Sequence, residues 1–332
     1  MPSSFLLLAP FRVRPLLAAA ALICAFVPGA AQAQAWPTKQ PIKLVAVFPP
    51  GGSVDQVARI LAPVLQQRLG QSVVVENKGG ASGSIGTAAV AAAAPDGYTY
   101  AVVFDTHGVN AALQPGLPYD TKRDLAAVSL IGTGAMVIAT VASSPYKTFA
   151  DVVKAAQGGT SISYGSIGNG SLGHLAVTML AKAGKLDLVH VPYRGGGPLM
   201  SDAIAGHVPL AVGSVFLAKP HIDGGKLRAL AVTTSQRSAN LPGVPTIAES
   251  GFAGFDAPAW WAVLAPAKTP PEIVQRMNEE INAALRQPEV ADKLAAQGIV
   301  TNVGAPAAAQ TFIETQLDTW AKVVKANDIK AD

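Results

Sequence analysis

The chain has 332 residues, half of them apolar and only 14% charged, with a formal net charge of +4. Such a composition excludes an extended disordered chain, and so mild a charge with no dense Lys/Arg run argues against a nucleic-acid binder. The single cysteine, Cys24, excludes a disulfide framework.

Arg12 and Arg14 precede an apolar run, Leu16 to Val27, that is too short to span a bilayer comfortably. Ala31-Gln32-Ala33 follows as an A-x-A cleavage site, so residues 1–33 read as a secretory signal peptide. Its removal takes away Cys24 and two positive charges, leaving +2 and no thiol chemistry. An exported protein of this size without disulfides fits the periplasm. No other stretch is long and apolar enough to cross a membrane.

Ile42 to Val47 reads as a buried strand. It runs into Phe48-Pro49-Pro50-Gly51-Gly52-Ser53-Val54-Asp55, and a helix leaves that stretch with Val57, Ile60, Leu61, Val64, Leu65 and Leu69 at helical spacing. Ser53 is the expected N-cap, with Gln56 completing a capping box. Unpaired N–H groups and the helix dipole favour an anion at this point, and the glycines allow close approach. The functional reading is a seat for a carboxylate or phosphate; the plain alternative is an ordinary strand-to-helix turn. Asp55 is either a first-turn acid complementing the dipole or an acceptor for a ligand hydroxyl or amine.

Ser72 to Glu76 is a second strand, Ser84 to Ala93 an Ala-rich helix and Tyr98 to Phe104 a third strand. This βαβαβ unit implies a parallel sheet, with ligands beyond the C-terminal strand ends. Leu130 to Val141 is extended and apolar, a candidate crossing into a second domain. The alternation resumes with Ser161 to Tyr164, a helix over Leu172 to Ala183, a strand at Leu188 to Val191, a helix over Leu199 to Ala205, and strands at Leu210 to Gly213 and Leu227 to Thr233. Trp260 to Leu264 reads as a strand returning to the first domain, and one of Trp260 and Trp261 as core. Glu272 to Arg286, Glu289 to Gln297 and Ala307 to Asn327 are helices.

Gly168, Gly170 and Gly173 form a literal G-x-G-x-x-G, with Asp187 following at the spacing of a dinucleotide fingerprint. The Ser- and Gly-rich strand before it, its mid-chain place and the exported character of the chain all weigh against NAD. The other reading is a second anion seat, with Ser166, Asn169 and Ser171 as donors. No G-x-S-x-G, H-E-x-x-H or P-loop occurs, and the five histidines lack metal-ligand spacing; each reads first as a structural or surface histidine, with His107 and His174 the two that could instead touch a ligand. Arg194 reads as a solvated rim charge.

Several motifs stand in one order: Trp36-Pro37, Phe48 to Asp55, Val75-Glu76-Asn77-Lys78, Ala94-Pro95-Asp96-Gly97-Tyr98, Leu117-Pro118-Tyr119-Asp120, His190 to Gly195 and Gly225 to Val232. Together they resemble the Bug family, the substrate-binding proteins of tripartite tricarboxylate transporters, over essentially the whole mature chain. The resemblance implies an α/β, two-lobed type II periplasmic-binding-protein fold with a ligand cleft between the lobes. Residues 36–138 plus 262–332 would form lobe 1 and residues 139–261 lobe 2. Carried over by position, the ligand-binding candidates are Pro50, Gly51, Gly52, Asp55, Thr106, Ser166, Asn169, Ser171 and His174, with Ser214 at a point of departure. Where many relatives carry an acidic residue, this chain has Gly213-Ser214-Val215, which favours a di- or tricarboxylate over an amino acid.

The resemblance further implies a non-enzymatic role, a small carboxylate ligand and delivery to the membrane permease of such a transporter. No cofactor, metal or nucleic acid is expected, and a monomer is the simplest state. The alternatives are an exported enzyme using Asp55 or His174 on a carboxylate, an NAD-dependent dehydrogenase built on Gly168 to Gly173, and a sensor's extracellular partner.

Overall fold

The chain builds two sheets by the same plan, as a computed structural model shows. The structure describes residues 1–4, 36–114, 116–326 and 329. The expected signal segment lies almost wholly outside the described residues.

In the first sheet the strands are β1 (Ile42–Ala46), β2 (Val73–Asn77), β3 (Thr99–Phe104), β4 (Leu125–Gly134), β10 (Ala259–Pro266) and β11 (Ile299–Thr301). Their order is β11-β4-β10-β3-β1-β2. β2, β1 and β3 are parallel, and β10 runs antiparallel to both β3 and β4. The second sheet holds β5 (Met136–Val141), β6 (Ile162–Ser166), β7 (Leu188–Pro192), β8 (Leu210–Ser214) and β9 (Leu227–Val232), in the order β7-β6-β8-β5-β9. Again three strands are parallel and one, β5, runs antiparallel beside β8 and β9.

The apolar run Leu130 to Val141 is not one strand. It divides at Ala135, with β4 in one sheet and β5 in the other. The expected boundaries at 139 and 261 therefore fall inside β5 and β10. Thr233 ties this crossing to the return path: its hydroxyl donates to the Ala257 carbonyl at 2.7 Å and accepts from the Met136 N–H at 3.2 Å.

Helix α1 (Ser53–Leu69) buries Val57, Leu61 and Leu65 against the first sheet, each contributing about 1.5–3 kcal/mol. Then come α2 (Ser84–Ala91), α3 (His107–Leu113), α4 (Thr121–Asp124), α5 (Phe149–Gln157), α6 (Leu172–Gly184), α7 (Gly196–Ala205) and α8 (Val215–Asp223). The C-terminal helices α9 (Pro271–Leu285), α10 (Pro288–Ala295) and α11 (Pro306–Ala326) pack on the first sheet and on α1 and α3. α11 buries Ile313, Leu317, Trp320 and Val324, the stripe read from the sequence. Trp260 and Trp261 are both wholly buried, so neither lines a ligand wall directly. Trp261 instead packs on Phe104, with ring centres 4.9 Å apart, and donates to Ser53 Oγ at 3.3 Å.

Three helices escape the sequence reading: α3, α4 and α8. Each is short and begins directly at a strand end or a turn, where apolar periodicity has too few residues to show.

Candidate functional site

The first loop leaves β1 through two prolines and turns at Gly51, whose φ of +81° suits glycine. Gly52 caps α1, and Ser53 is already helical, which corrects the expected Ser53 cap. Gln56 does not complete a capping box; its side chain donates to the Gly51 carbonyl at 3.1 Å. Asp55 is buried and fully engaged. One carboxylate oxygen accepts from the Gly51 N–H at 3.0 Å, and the other from Arg59 and Asn77 at 2.9 Å each. Asn77 also donates to the Phe48 carbonyl at 3.1 Å, so Asp55 and Asn77 clamp both ends of the loop.

The second loop follows β6 and is held by its own side chains. Ser166, wholly buried, donates to the Gly168 carbonyl at 3.0 Å and lies 2.7 Å from His190 Nε2. Ser171 caps α6, accepting from the His174 N–H at 3.3 Å, and donates to Ser166 Oγ at 3.0 Å. His174 Nδ1 accepts from the Gly170 N–H at 3.1 Å, and its ring stacks on His190 with centres 4.0 Å apart. Burial, and then the neighbouring His174, hold His190 down at about 3. Ser166, Ser171 and His174 thus form an internal network, and none of them lies on the wall of the cleft described below.

Asp187, the acid of the apparent dinucleotide fingerprint, precedes β7 at the N-terminal end of the parallel strands and accepts from Ser161 at 3.1 Å. A ribose-binding acid belongs at the opposite, C-terminal edge, so this geometry contradicts the dehydrogenase alternative. Thr106 is buried, lines neither the cleft nor the inner cavity described below, and donates to Asp105 Oδ1 at 3.2 Å. Desolvation raises the Asp105 carboxyl well above the usual carboxylate range. Desolvation also lowers His107 to about 4; the ring stacks on Tyr119 and meets Thr121 Oγ1 at 3.2 Å, so His107 is a core residue.

The two loops face each other across a cleft of about 680 Å³ whose walls include Pro49, Pro50, Ser82, Asn169, Tyr193 and Arg194. Behind it lies an inner cavity of about 10 Å³, bounded by Phe48, Gly52, Phe104, Ile167, Gly196 and Ser214. That volume is at the lower limit for one water molecule. Phe48 and Ile167 form part of both walls, so the two spaces adjoin. The N-termini of α1, α7 and α8 meet at the inner cavity, at Gly52-Ser53, Gly196 and Ser214. Each presents N–H groups and the positive end of a helix dipole.

A third loop completes this arrangement. Gly195-Gly196-Gly197 leads into α7 and lies on the first loop: a Cβ on Gly197 would sit 3.3 Å from the Pro50 carbonyl, and one on Gly196 3.8 Å from Gly52 Cα. Ser82 adds a further bridge, donating to the Asn169 carbonyl. These contacts join the two sheets, and Trp36–Asp332 forms one compact unit.

Of the candidates, Pro50 and Asn169 line the outer cleft, and Gly52 and Ser214 line the inner cavity. Gly51 shapes the first turn. Phe48, Ile167 and Gly196 were absent from the candidates read from the sequence. The sequence signal for Gly196 was the glycine run before Pro198, a further strand-to-helix turn. Among the described residues no group of three or more His, Cys, Asp or Glu side chains is placed to hold a metal.

A family model described as "Tripartite tricarboxylate transporter family receptor" matches residues 57–329. Protein BugT of Bordetella pertussis is 36% identical over 296 residues, 88% of this chain and 90% of BugT. The structure of R. palustris Rpa4515 with adipate superposes with a TM-score of 0.85 at 33% identity, covering 89% of this chain and 99% of that one. MatC from Rhodopseudomonas palustris with bound malate gives 0.82 at 30% identity, covering 86% and 99%.

Proposed function

The chain belongs to the tripartite tricarboxylate transporter receptor family and has the two-lobed fold of its periplasmic binding proteins, and from that premise we propose that it captures a small organic acid for such a transporter. The family is one of substrate-binding receptors, not of enzymes. The observation that carries the reading is the meeting of three helix N-termini at one cavity between the sheets. A carboxylate placed there would collect backbone N–H bonds from Gly52, Ser53 and Gly196 and be balanced by three dipoles. Charge-assisted bonds of this kind contribute about 1.5–3 kcal/mol each, enough, after the cost of immobilisation, for micromolar affinity at roughly −8 kcal/mol.

In this reading Pro50, Gly51 and Gly52 shape one wall, Asn169 and Ser214 belong to the facing wall, and Asp55, Ser166, Ser171 and His174 hold the loops in place. The inner cavity is too small for an organic acid, so uptake requires the lobes to part and close again about the crossings near Ala135 and Thr233. The two moving bodies are the two sheets with their helices, so the expected boundaries shift to the crossing at Ala135, before β5, and to the return between Thr233 and β10. The N-terminal segment directs export and is cleaved after Ala33, and the closed form is handed as a monomer to the permease. The adipate and malate seen in two relatives support a carboxylate ligand.

Titration calorimetry of residues 34–332 with organic acids, amino acids and NAD tests the proposal. Binding of an organic acid, with no turnover of it, is expected. Binding of NAD or amino acids alone would overturn it.

A further inference from the structure

Arg194 stands in the wall of the outer cleft, and no acidic side chain shares that wall. It is the only formally charged side chain among the described residues that line that space. Tyr193 beside it is turned to Asp202, donating to the carboxylate at 2.9 Å. Asn77 is spent on Asp55, Phe48 and Arg59. Arg194 itself has neither hydrogen bond nor ion pair with any described residue, and it is exposed.

Its backbone is nevertheless held. The Tyr193 N–H donates to the Ser166 carbonyl at 2.9 Å, and Gly195, at a φ of +129°, caps α7 and accepts from Leu199 at 3.3 Å. The guanidinium therefore starts from a fixed point on the cleft wall and swings over a space that adjoins the anion seat through Phe48 and Ile167. A rim charge serving solubility alone has no need of a place inside a cleft whose other lining groups are neutral.

We infer that Arg194 reads a second anionic group at the far end of the ligand, so that this receptor selects dianionic acids over monocarboxylates of the same length. The inference rests on the proposed function and deepens it. One carboxylate sits at the three helix N-termini, and the other projects into the outer cleft, where a planar guanidinium matches it with two parallel N–H···O bonds.

The test uses two matched pairs, adipate with hexanoate and succinate with butyrate, titrated into residues 34–332 carrying Arg194, R194Q or R194K. The wild type is expected to favour at least one diacid over its monoacid by about tenfold or more, as one charge-assisted bond would give. R194Q should bring that ratio to within about threefold, mostly by weakening the diacid, and R194K should keep part of it. An unchanged ratio in R194Q, with diacid binding intact, overturns the role of Arg194 and leaves the organic-acid function standing. Binding of none of the four acids by the wild type overturns the inference, and the same result across the wider organic-acid panel overturns the function with it.

Discussion

The hydroxyl of Ser82 donates to the main-chain carbonyl of Asn169 from the opposite side of the cleft. Ser82 sits in the left-handed region, with φ +54°, between Ala81 at +45° and Gly83 at +89°. Asn110 and Gln114 hold the turn by donating to the Ser82 and Ala81 carbonyls, each at 3.1 Å. The turn is thus anchored on the first sheet and aimed at the second. Ser82→Ala removes the bridge without moving the anchor. Ligand affinity should fall about 2- to 10-fold, the worth of one neutral hydrogen bond, while the melting temperature changes little. Calorimetry beside thermal melting checks this; unchanged affinity would show that the bridge plays no part in closure.

Gly52 has an extended backbone, with φ −79° and ψ 167°, so any residue can adopt it. Its Cβ would project toward the Pro49 carbonyl at 3.5 Å and the Gly196 N–H at 3.9 Å, where the loops meet. Gly52→Val should leave the fold intact and weaken ligand binding about 10- to 100-fold by crowding that contact. Wild-type affinity in a folded Gly52→Val protein would place the ligand elsewhere.

Asp55 accepts from a backbone N–H, an arginine and an asparagine at once. Removing it strands the Gly51 N–H and frees the first loop, so Asp55→Ala should cost about 2–4 kcal/mol of stability. Denaturant unfolding measures this. A loss of affinity without a loss of stability would instead make Asp55 a direct ligand contact.

His107 and His190 are held at about 4 and about 3, below the ordinary 6.5. Unfolding frees both to protonate. The unfolded chain therefore binds more protons below pH 6.5, and stability falls as pH drops from 6.5 toward 4. Asp105 acts the other way. Its raised carboxyl keeps a proton that the unfolded chain gives up above 3.8, so its contribution falls as pH rises. These two histidines, with His221 also lowered by burial and Lys226, outweigh the one carboxyl and leave a net loss on acidification, about 1.4 kcal/mol per pH unit for each proton in excess. Melting temperatures should fall steadily from pH 6.5 to 4.5, and His107→Gln should flatten the slope. An equal slope in the variant would mean that His107 protonates in the folded state.

Much of the fold was legible because it is local. A buried strand, a turn of prolines and glycines, and an amphipathic helix leave their mark within the 28 residues from Ile42 to Leu69. The order of such units fixes parallel pairing. What local signals do not carry is sheet membership. Leu130 to Val141 carries apolar residues on both sides of Gly132-Thr133-Gly134, since burial in either sheet asks for the same side chains, and the sheet that each half joins is decided by the partners it finds.

The site divides along the same line. By itself the sequence determined that Gly51, Gly52, Gly168 and Gly170 lie at strand ends and that a carboxylate would suit such turns, because helix ends and glycine backbones behave alike wherever they occur. Only the tertiary structure decided which side chains face the cleft. Ser166 and Ser171 look like free donors in the sequence, but His190, 24 residues beyond Ser166 and on the neighbouring strand, draws them into an inward network. Arg194, read as a rim charge, and Gly196 stand opposite the first loop because β7 runs beside β6. A hydrogen bond is made with whatever partner folding brings near, and that partner is set by packing between distant segments.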